Sequence, residues 1–408
     1  MPGALSSLKI LDFSTLLPGP FATMFLADLG ADIIRVEAPH RPDYLRLAPP
    51  KDKGTSIGHS LLNRSKRSIA LNLKTPEAVR IAKRLVKTYD IVVEQFRPGV
   101  MDRLGIGYES LKTVNPRLIY CALTGYGQTG PYRDRAGHDI NYLALSGAAS
   151  HLGRKDEGPL PLSFQIADVG AGSYNVMVGI LAAEIHRRET GKGQFIDISM
   201  FDGSVTWNNL AFAYYFGTGE NPQREGALLN GGSFYDYYQT NDGRYLSIGS
   251  LEPKFWKGFC AAIGRPDLAT EVSILNPKSY LKVKPEIQKV IATRSLSDWK
   301  EIFDSANVCV EPVLDVSETE KHPQTQARNI IVEVPRKDGS SQKQVANPIK
   351  FSECATEYKH TGVKLGEHTI EILKEAGYSQ SEINAFKKAG AIAEKPNKLN
   401  MILNFIKS

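Results

Sequence analysis

The N-terminal half of this sequence alternates strand with helix, and that order limits the fold more than any other feature. Residues 8–13 form a short apolar strand, 19–29 a helix closed by Gly30, and 32–36 the next strand. Residues 68–73 follow as a strand. Thr75-Pro76-Glu77 then opens a helix to about Lys87: a Thr cap, Pro in the first turn, and an acid beside unpaired backbone N–H groups. Residues 91–94 and 117–123 are further apolar strands. This alternation predicts an α/β fold, with a Rossmann-like parallel sheet and helices on both faces.

Beyond Asp168 the pattern changes. Residues 171–188 read as one long apolar helix, ended by Gly191-Lys192-Gly193, with a strand at 194–199. Segments 234–240 and 244–250 flank Asn241-Asp242-Gly243 and predict a hairpin, because Asp-Gly suits a tight turn. A smaller α+β domain is expected over 225–320. The large domain is expected over 1–215, completed by 325–408. The last helices are expected at 367–376 and 380–389, the second capped by Ser379, with a loose polar tail beyond Lys395. A chain of 408 residues has room for about two such domains.

Charged side chains at 23% and apolar ones at 42% suit a globular protein rather than a disordered one. The net charge of +6 is spread out, with no basic stripe interleaved with aromatics, so nucleic acid is not expected as a partner. A small phosphate-bearing ligand fits the charge equally well. No uninterrupted apolar run approaches the ~20 residues of a bilayer span, so no membrane association is expected. Residues 1–9 lack the pattern of a secretory signal, and Ile406-Lys407-Ser408 is not a peroxisomal tripeptide. Cys121, Cys260, Cys309 and Cys354 lie far apart, which argues against disulfides or a metal site and for a reducing, cytoplasmic location.

Several segments carry candidate chemistry. Leu17-Pro18-Gly19-Pro20, followed by Glu37 at the end of the second strand, is similar to half of a dinucleotide-binding unit. Prolines stand where a pyrophosphate needs glycines, so nicotinamide and flavin are not expected. The helix start keeps its attraction for another nucleotide's phosphate. Basic segments follow at Arg64-Ser65-Lys66-Arg67, at Lys74, and at 95–103. In the last, Arg97 and Arg103 suit phosphate oxygens and Phe96 an adenine face; the alternative is ordinary solvated charge.

His138, in Gly137-His138-Asp139-Ile140-Asn141-Tyr142, is either a structural histidine or a general base that is largely neutral at pH 7. Asp168, in Ile166-Ala167-Asp168-Val169-Gly170-Ala171-Gly172, is a helix cap, a base or a nucleophile; nearby helix amides would keep it ionised. Glu252, before Pro253, is either a solvent-facing acid or a carboxylate that orients His138.

Taken in order, Leu17-Pro18-Gly19-Pro20, Asp28-Leu29-Gly30-Ala31-Asp32, Phe96-Arg97-Pro98-Gly99, Gly191-Lys192-Gly193-Gln194 and Gly366-Glu367-His368-Thr369 resemble the family III coenzyme A transferases, the CaiB–BaiF superfamily, over about 8–389. The resemblance implies an interlaced homodimer of ring-shaped subunits, with active sites between large and small domains. The 137–142 motif and Asn230-Gly231-Gly232 with Gly249-Ser250-Leu251-Glu252-Pro253 are most similar to the α-methylacyl-CoA racemase branch. That branch implies His138 and Asp168 as two bases, supported by Glu252. The transferase branch implies Asp168 as nucleophile beneath a glycine-rich loop, here reduced to 230–233. The resemblance carries coenzyme A contacts onto Arg35, Lys74, Gln95, Phe96, Arg97, Arg103, Gly137, Asp139, Ile140, Asn141 and Tyr142. Ala38 stands where some relatives have arginine. Coenzyme A is part of the thioester substrate, and no separate cofactor is implied. Backbone amides near Asp168 are expected to stabilise an enolate oxygen.

Overall fold

The computed structural model describes residues 3–272 and 278–393. The tail expected to be loose lies outside the described residues. The chain divides into two units. Unit 1 comprises Met1–Leu143, Ser163–Trp207 and Arg328–Ser408 as far as these are described, and unit 2 comprises Ala144–Leu162 and Asn208–Ala327.

Unit 1 is built on six parallel strands: β1 (Lys9–Asp12), β2 (Asp32–Glu37), β3 (Arg67–Ala70), β4 (Ile91–Glu94), β5 (Ile119–Thr124) and β6 (Phe195–Ser199). They lie in the order β3-β2-β1-β4-β5-β6, that of a doubly wound dinucleotide fold. Successive residues of β4 serve opposite faces. Val92 packs in one apolar cluster with Ile81 and Leu85; Ile91 and Val93 pack in the other with Val176 and Ile180. Burial on both faces explains why these strands read as continuous apolar runs.

Helix α1 (Pro18–Asp28) follows β1, and α2 (Pro76–Leu85) follows β3 with the expected Thr75 hydroxyl on the Ala78 N–H. Helix α3 (Asp139–Leu145) begins in unit 1. A π-helical turn, Ile166–Ser173, leads into α4 (Tyr174–Thr190), which Gly191 ends in a left-handed conformation. The continuous run Ile166–Thr190 has 25 residues and would span a bilayer by length and composition, which the sequence reading did not anticipate. Half of its apolar window is buried within the protein. The C-terminal part of unit 1 docks on the edge strand β3: the Ala70 N–H donates to Thr369 Oγ1 at 3.1 Å and Arg67 pairs with Glu375 at 2.8 Å. An edge so covered cannot template pairing with another chain.

Unit 2 holds the hairpin Asp236–Gln239 and Tyr245–Ile248, turned by Gly243 at φ 75° and extended by Val310–Pro312. Helices Pro253–Ala262, Lys278–Ile291 and Leu296–Asp304 accompany it, with a core that includes Phe234, Trp256, Phe259, Trp299 and Phe303. The unit boundaries differ from the expected ones: residues 144–162 and 208–215 group with unit 2. Side-chain pairing shows why. His151 Nε2 meets Asn208 Oδ1 at 3.0 Å, and the Arg154 guanidinium forks onto Asp236 at 2.7 and 2.8 Å.

Candidate active site

In a doubly wound sheet, ligands bind beyond the carboxyl ends of the strands where the strand order reverses, here between β1 and β4. A cavity of about 400 Å³ lies there, entirely within unit 1. Its walls come from the chain after β1 (Leu16, Pro18), after β4 (Gln95, Phe96, Arg97, Pro98) and after β5 (Gly125, Arg133, Arg135), and from His138 and Asp168.

The start of α1 is closed to phosphate, contrary to the expectation for that junction. Pro18 and Pro20 have no N–H, and the Gly19 N–H donates to Gln95 Oε1 at 3.0 Å. Gln95 therefore caps the helix from across the switch point. A Cβ on Gly19 would lie 2.8 Å from Gln95 Oε1 and 2.2 Å from Ser14 Cβ, so only glycine fits. Glu37 does not offer itself to a ribose either. It is buried, pairs with Arg46 and Arg35, and their guanidinium groups hold its carboxyl well below the usual range against the opposing effect of burial.

His138 precedes α3. Its N–H donates to Asn141 Oδ1 at 3.0 Å, and its carbonyl accepts the Asn141 N–H at 2.8 Å. This is half of a capping box and fixes the residue by local sequence alone. Tyr142, one turn on, is buried and donates its hydroxyl to the Gly137 carbonyl at 2.6 Å.

Asp168 sits in the π-turn, a departure from α-helix that is frequent at functional sites. It is not a cap: the residue before the turn is Gln165, and among the described residues no donor meets the Asp168 carboxylate. Burial first, and the neighbouring Asp139 carboxylate second, push Asp168 up to about 6, with His138 pulling the other way. The helix amides expected to keep it ionised do not meet its carboxylate among the described residues. The Asp168 N–H donates to Asp139 Oδ1 at 3.0 Å and the Val169 N–H to the Gln165 carbonyl at 2.9 Å. Those amides are spent and cannot serve an enolate oxygen. The N–H groups of Asp139 and Ile140, beside His138, donate to nothing among the described residues.

Of the residues expected at the site, the cavity gathers Gln95, Phe96, Arg97, Gly137, His138, Asn141, Tyr142 and Asp168. Arg35 leaves the set. It is 1% exposed and committed to Glu37, Asp43 and Asn63, so no incoming phosphate can reach it. Lys74 and Arg103 are exposed outside the cavity wall, although Arg103 reaches toward Gly99. Asp139 turns its carboxylate to the Asp168 backbone, and Ile140 is 57% exposed. Glu252 belongs to unit 2, where it is exposed ahead of the helix Pro253–Ala262.

The sequence reading missed Arg133 and Arg135. With Arg97 they form a basic rim, and no carboxylate pairs with any of the three among the described residues. Their signal was present in Arg133-Asp134-Arg135, two residues before the 137–142 motif.

Residues 5–369 match the pattern of CoA-transferase family III. The chain is 35% identical over 387 residues to the human protein named alpha-methylacyl-CoA racemase, covering 93% of this chain and 95% of that one. It is 34% identical over 383 residues to the succinate–glutarate CoA-transferase of Agrobacterium fabrum, covering 91% and 95%. Among solved structures, it is similar to a CaiB/BaiF family protein from Brucella suis, with TM-score 0.79 and 29% identity, covering 92% of this chain and 100% of that chain. A protein from Mycobacterium tuberculosis matches with TM-score 0.77 and 26% identity, covering 91% and 99%.

Proposed function

The chain belongs to CoA-transferase family III, and from that membership we propose that it epimerises 2-methylacyl-CoA thioesters by moving the α-proton between two bases, His138 and Asp168. The coarser statement, an enzyme acting on an acyl-CoA, follows from the family itself. The observation that carries the finer one is the presence of His138 and Asp168 on one cavity of unit 1, with the Asp168 carboxyl raised to about 6. A group that titrates near the working pH both gives and takes a proton at low cost.

In one direction the neutral His138 imidazole takes the α-proton, and the C–H electron pair becomes the thioester enolate. The Asp168 carboxyl then delivers its proton to the opposite face of that carbon. Imidazolium and carboxylate remain, and solvent resets them. For the other enantiomer the roles exchange. The unspent N–H groups of Asp139 and Ile140 are the donors for the enolate oxygen, and one such donor is worth about 2.7–4 kcal/mol. Arg97, Arg133 and Arg135 are the cations for the phosphates of coenzyme A.

A second reading is favoured by the transferase relative at 34% identity: a CoA-transferase in which the Asp168 carboxylate attacks the thioester carbonyl and expels the CoA thiolate. One feature weighs against it. In unit 2, the 230–233 loop is tied down: the Gly231 carbonyl accepts Lys284 Nζ at 2.6 Å, and Asn230 Nδ2 donates to the Gln223 carbonyl at 2.9 Å. The deciding experiment incubates one enantiomer of 2-methyldecanoyl-CoA with enzyme in D₂O. Deuterium at C2 together with loss of optical purity supports the epimerase. Transfer of CoA to a free carboxylate, through an intermediate trapped by hydroxylamine, supports the transferase and overturns the epimerase. A protein that only binds acyl-CoA does neither.

A further inference from the structure

We infer that the side chain of Asp139 is a positioning residue for Asp168: its Oδ1 accepts the Asp168 backbone N–H at 3.0 Å and ties the start of α3, beside His138, to the π-turn. The kinetic part of this inference rests on the two-base reading; the electrostatic part does not.

Three observations support it. First, this hydrogen bond spans 29 residues and joins the two segments that carry His138 and Asp168. A π-turn lacks the α-helical ladder at this point, so an outside acceptor for the Asp168 N–H sets where its Cα lies. Second, Asp139 has no Lys or Arg partner among the described residues, so its charge acts unneutralised on its neighbour. After burial, it is the main influence that raises the Asp168 carboxyl. Third, little else opposes or duplicates it. His138 acts in the opposite sense, and Tyr142 on α3 is itself raised, by burial first and by Asp168 second. On the elements packed against the π-turn, Asp28 of α1 is paired with Arg64, and Asp197 of β6 faces Asp202 of α5 (Met200–Trp207). The charged residues of α4 lie in its last two turns, where Glu184 pairs with Arg187 and Arg188.

Two substitutions separate the bond from the charge. Asp139→Asn keeps an Oδ1 acceptor and removes the charge; Asp139→Ala removes both. In full-length protein carrying ¹³C-carboxyl aspartate, the Asp168 resonance is assigned by its disappearance in Asp168→Asn. Its titration midpoint is expected to move to lower pH in Asp139→Asn, and an unmoved or raised midpoint overturns the inference. This readout needs no substrate, so it decides the inference even if wild-type enzyme fails to epimerise.

With 2-methyldecanoyl-CoA in D₂O, the acid limb of the exchange profile is expected to move to lower pH in Asp139→Asn. In Asp139→Ala, kcat is expected to fall a further tenfold or so with KM little changed, because the carboxylate is no longer held. Equal loss of thermal stability in both variants, with the Asp168 midpoint unmoved, would reduce Asp139 to a packing role.

Discussion

The hydroxyl of Tyr142 donates to the carbonyl of Gly137 at 2.6 Å, so the residue before His138 is held by the helix that follows it. The same ring fills the space where a Cβ on Gly137 would stand, 2.7 Å from Tyr142 Cε1. Gly137→Ala must therefore displace a buried aromatic ring, at a cost of about 1–3 kcal/mol. Tyr142→Phe loses one hydrogen bond, about 0.5–1.5 kcal/mol. Urea unfolding should rank the two in that order, and both should lower kcat more than they raise KM.

Asp168 is expected to cost the protein stability at neutral pH. Its folded carboxyl is raised from 3.8 to about 6, so between those values the folded state binds more protons than the unfolded state. That contribution is present below about pH 4 and is lost as pH rises through 6. Asp168→Asn should raise the unfolding free energy at pH 7.5 by on the order of 1–3 kcal/mol, and by much less at pH 4. Calorimetry at the two pH values checks this; equal effects at both would contradict it.

The basic rim should set affinity without setting chemistry. Arg97→Ala or Arg133→Ala is expected to weaken binding of free coenzyme A by roughly tenfold, about 1.4 kcal/mol, and the loss should shrink as salt is added. KM should rise with kcat little changed, as for an interaction shared by ground and transition states. Titration calorimetry at two ionic strengths gives the answer.

Beneath the site, Lys66 donates to Asp12 at 3.2 Å, and both are fully buried. Thr23 Oγ1 donates to the same carboxylate at 2.6 Å. Lys66→Met leaves Asp12 buried without its cation and should cost about 3–5 kcal/mol. Adding Asp12→Asn should recover much of that loss in denaturant unfolding.

What was legible in the sequence was local. The Thr75 and Ser379 caps, the Gly191 stop and the Asp242-Gly243 turn are each written in a few adjacent residues, and each is found in place. The alternation of strand and helix likewise gave the parallel sheet. What required distant partners was not legible. The coenzyme A contact that the resemblance carried onto Arg35 does not form, because Asp43 and Asn63, 8 and 28 residues away, consume that side chain. Gln95, carried onto the site by the resemblance, does line the cavity, but its capping of Gly19, 76 residues away, was not legible. The π-turn has no apolar periodicity that would set it apart from the helix it opens. Segment 144–162 joins unit 2 through pairs such as His151 with Asn208, which no local pattern announces.

Two bases on opposite faces of one carbon leave a distinctive mark when either is removed. The most direct measurement is α-proton exchange in D₂O by His138→Ala and Asp168→Ala, each with both enantiomers of 2-methyldecanoyl-CoA. Each variant is expected to lose epimerisation by roughly 10²-fold or more, and each should lose exchange with a different enantiomer, the one whose proton faced the missing base. Full exchange of both enantiomers by His138→Ala, or loss of the same enantiomer in both variants, would contradict the two-base site.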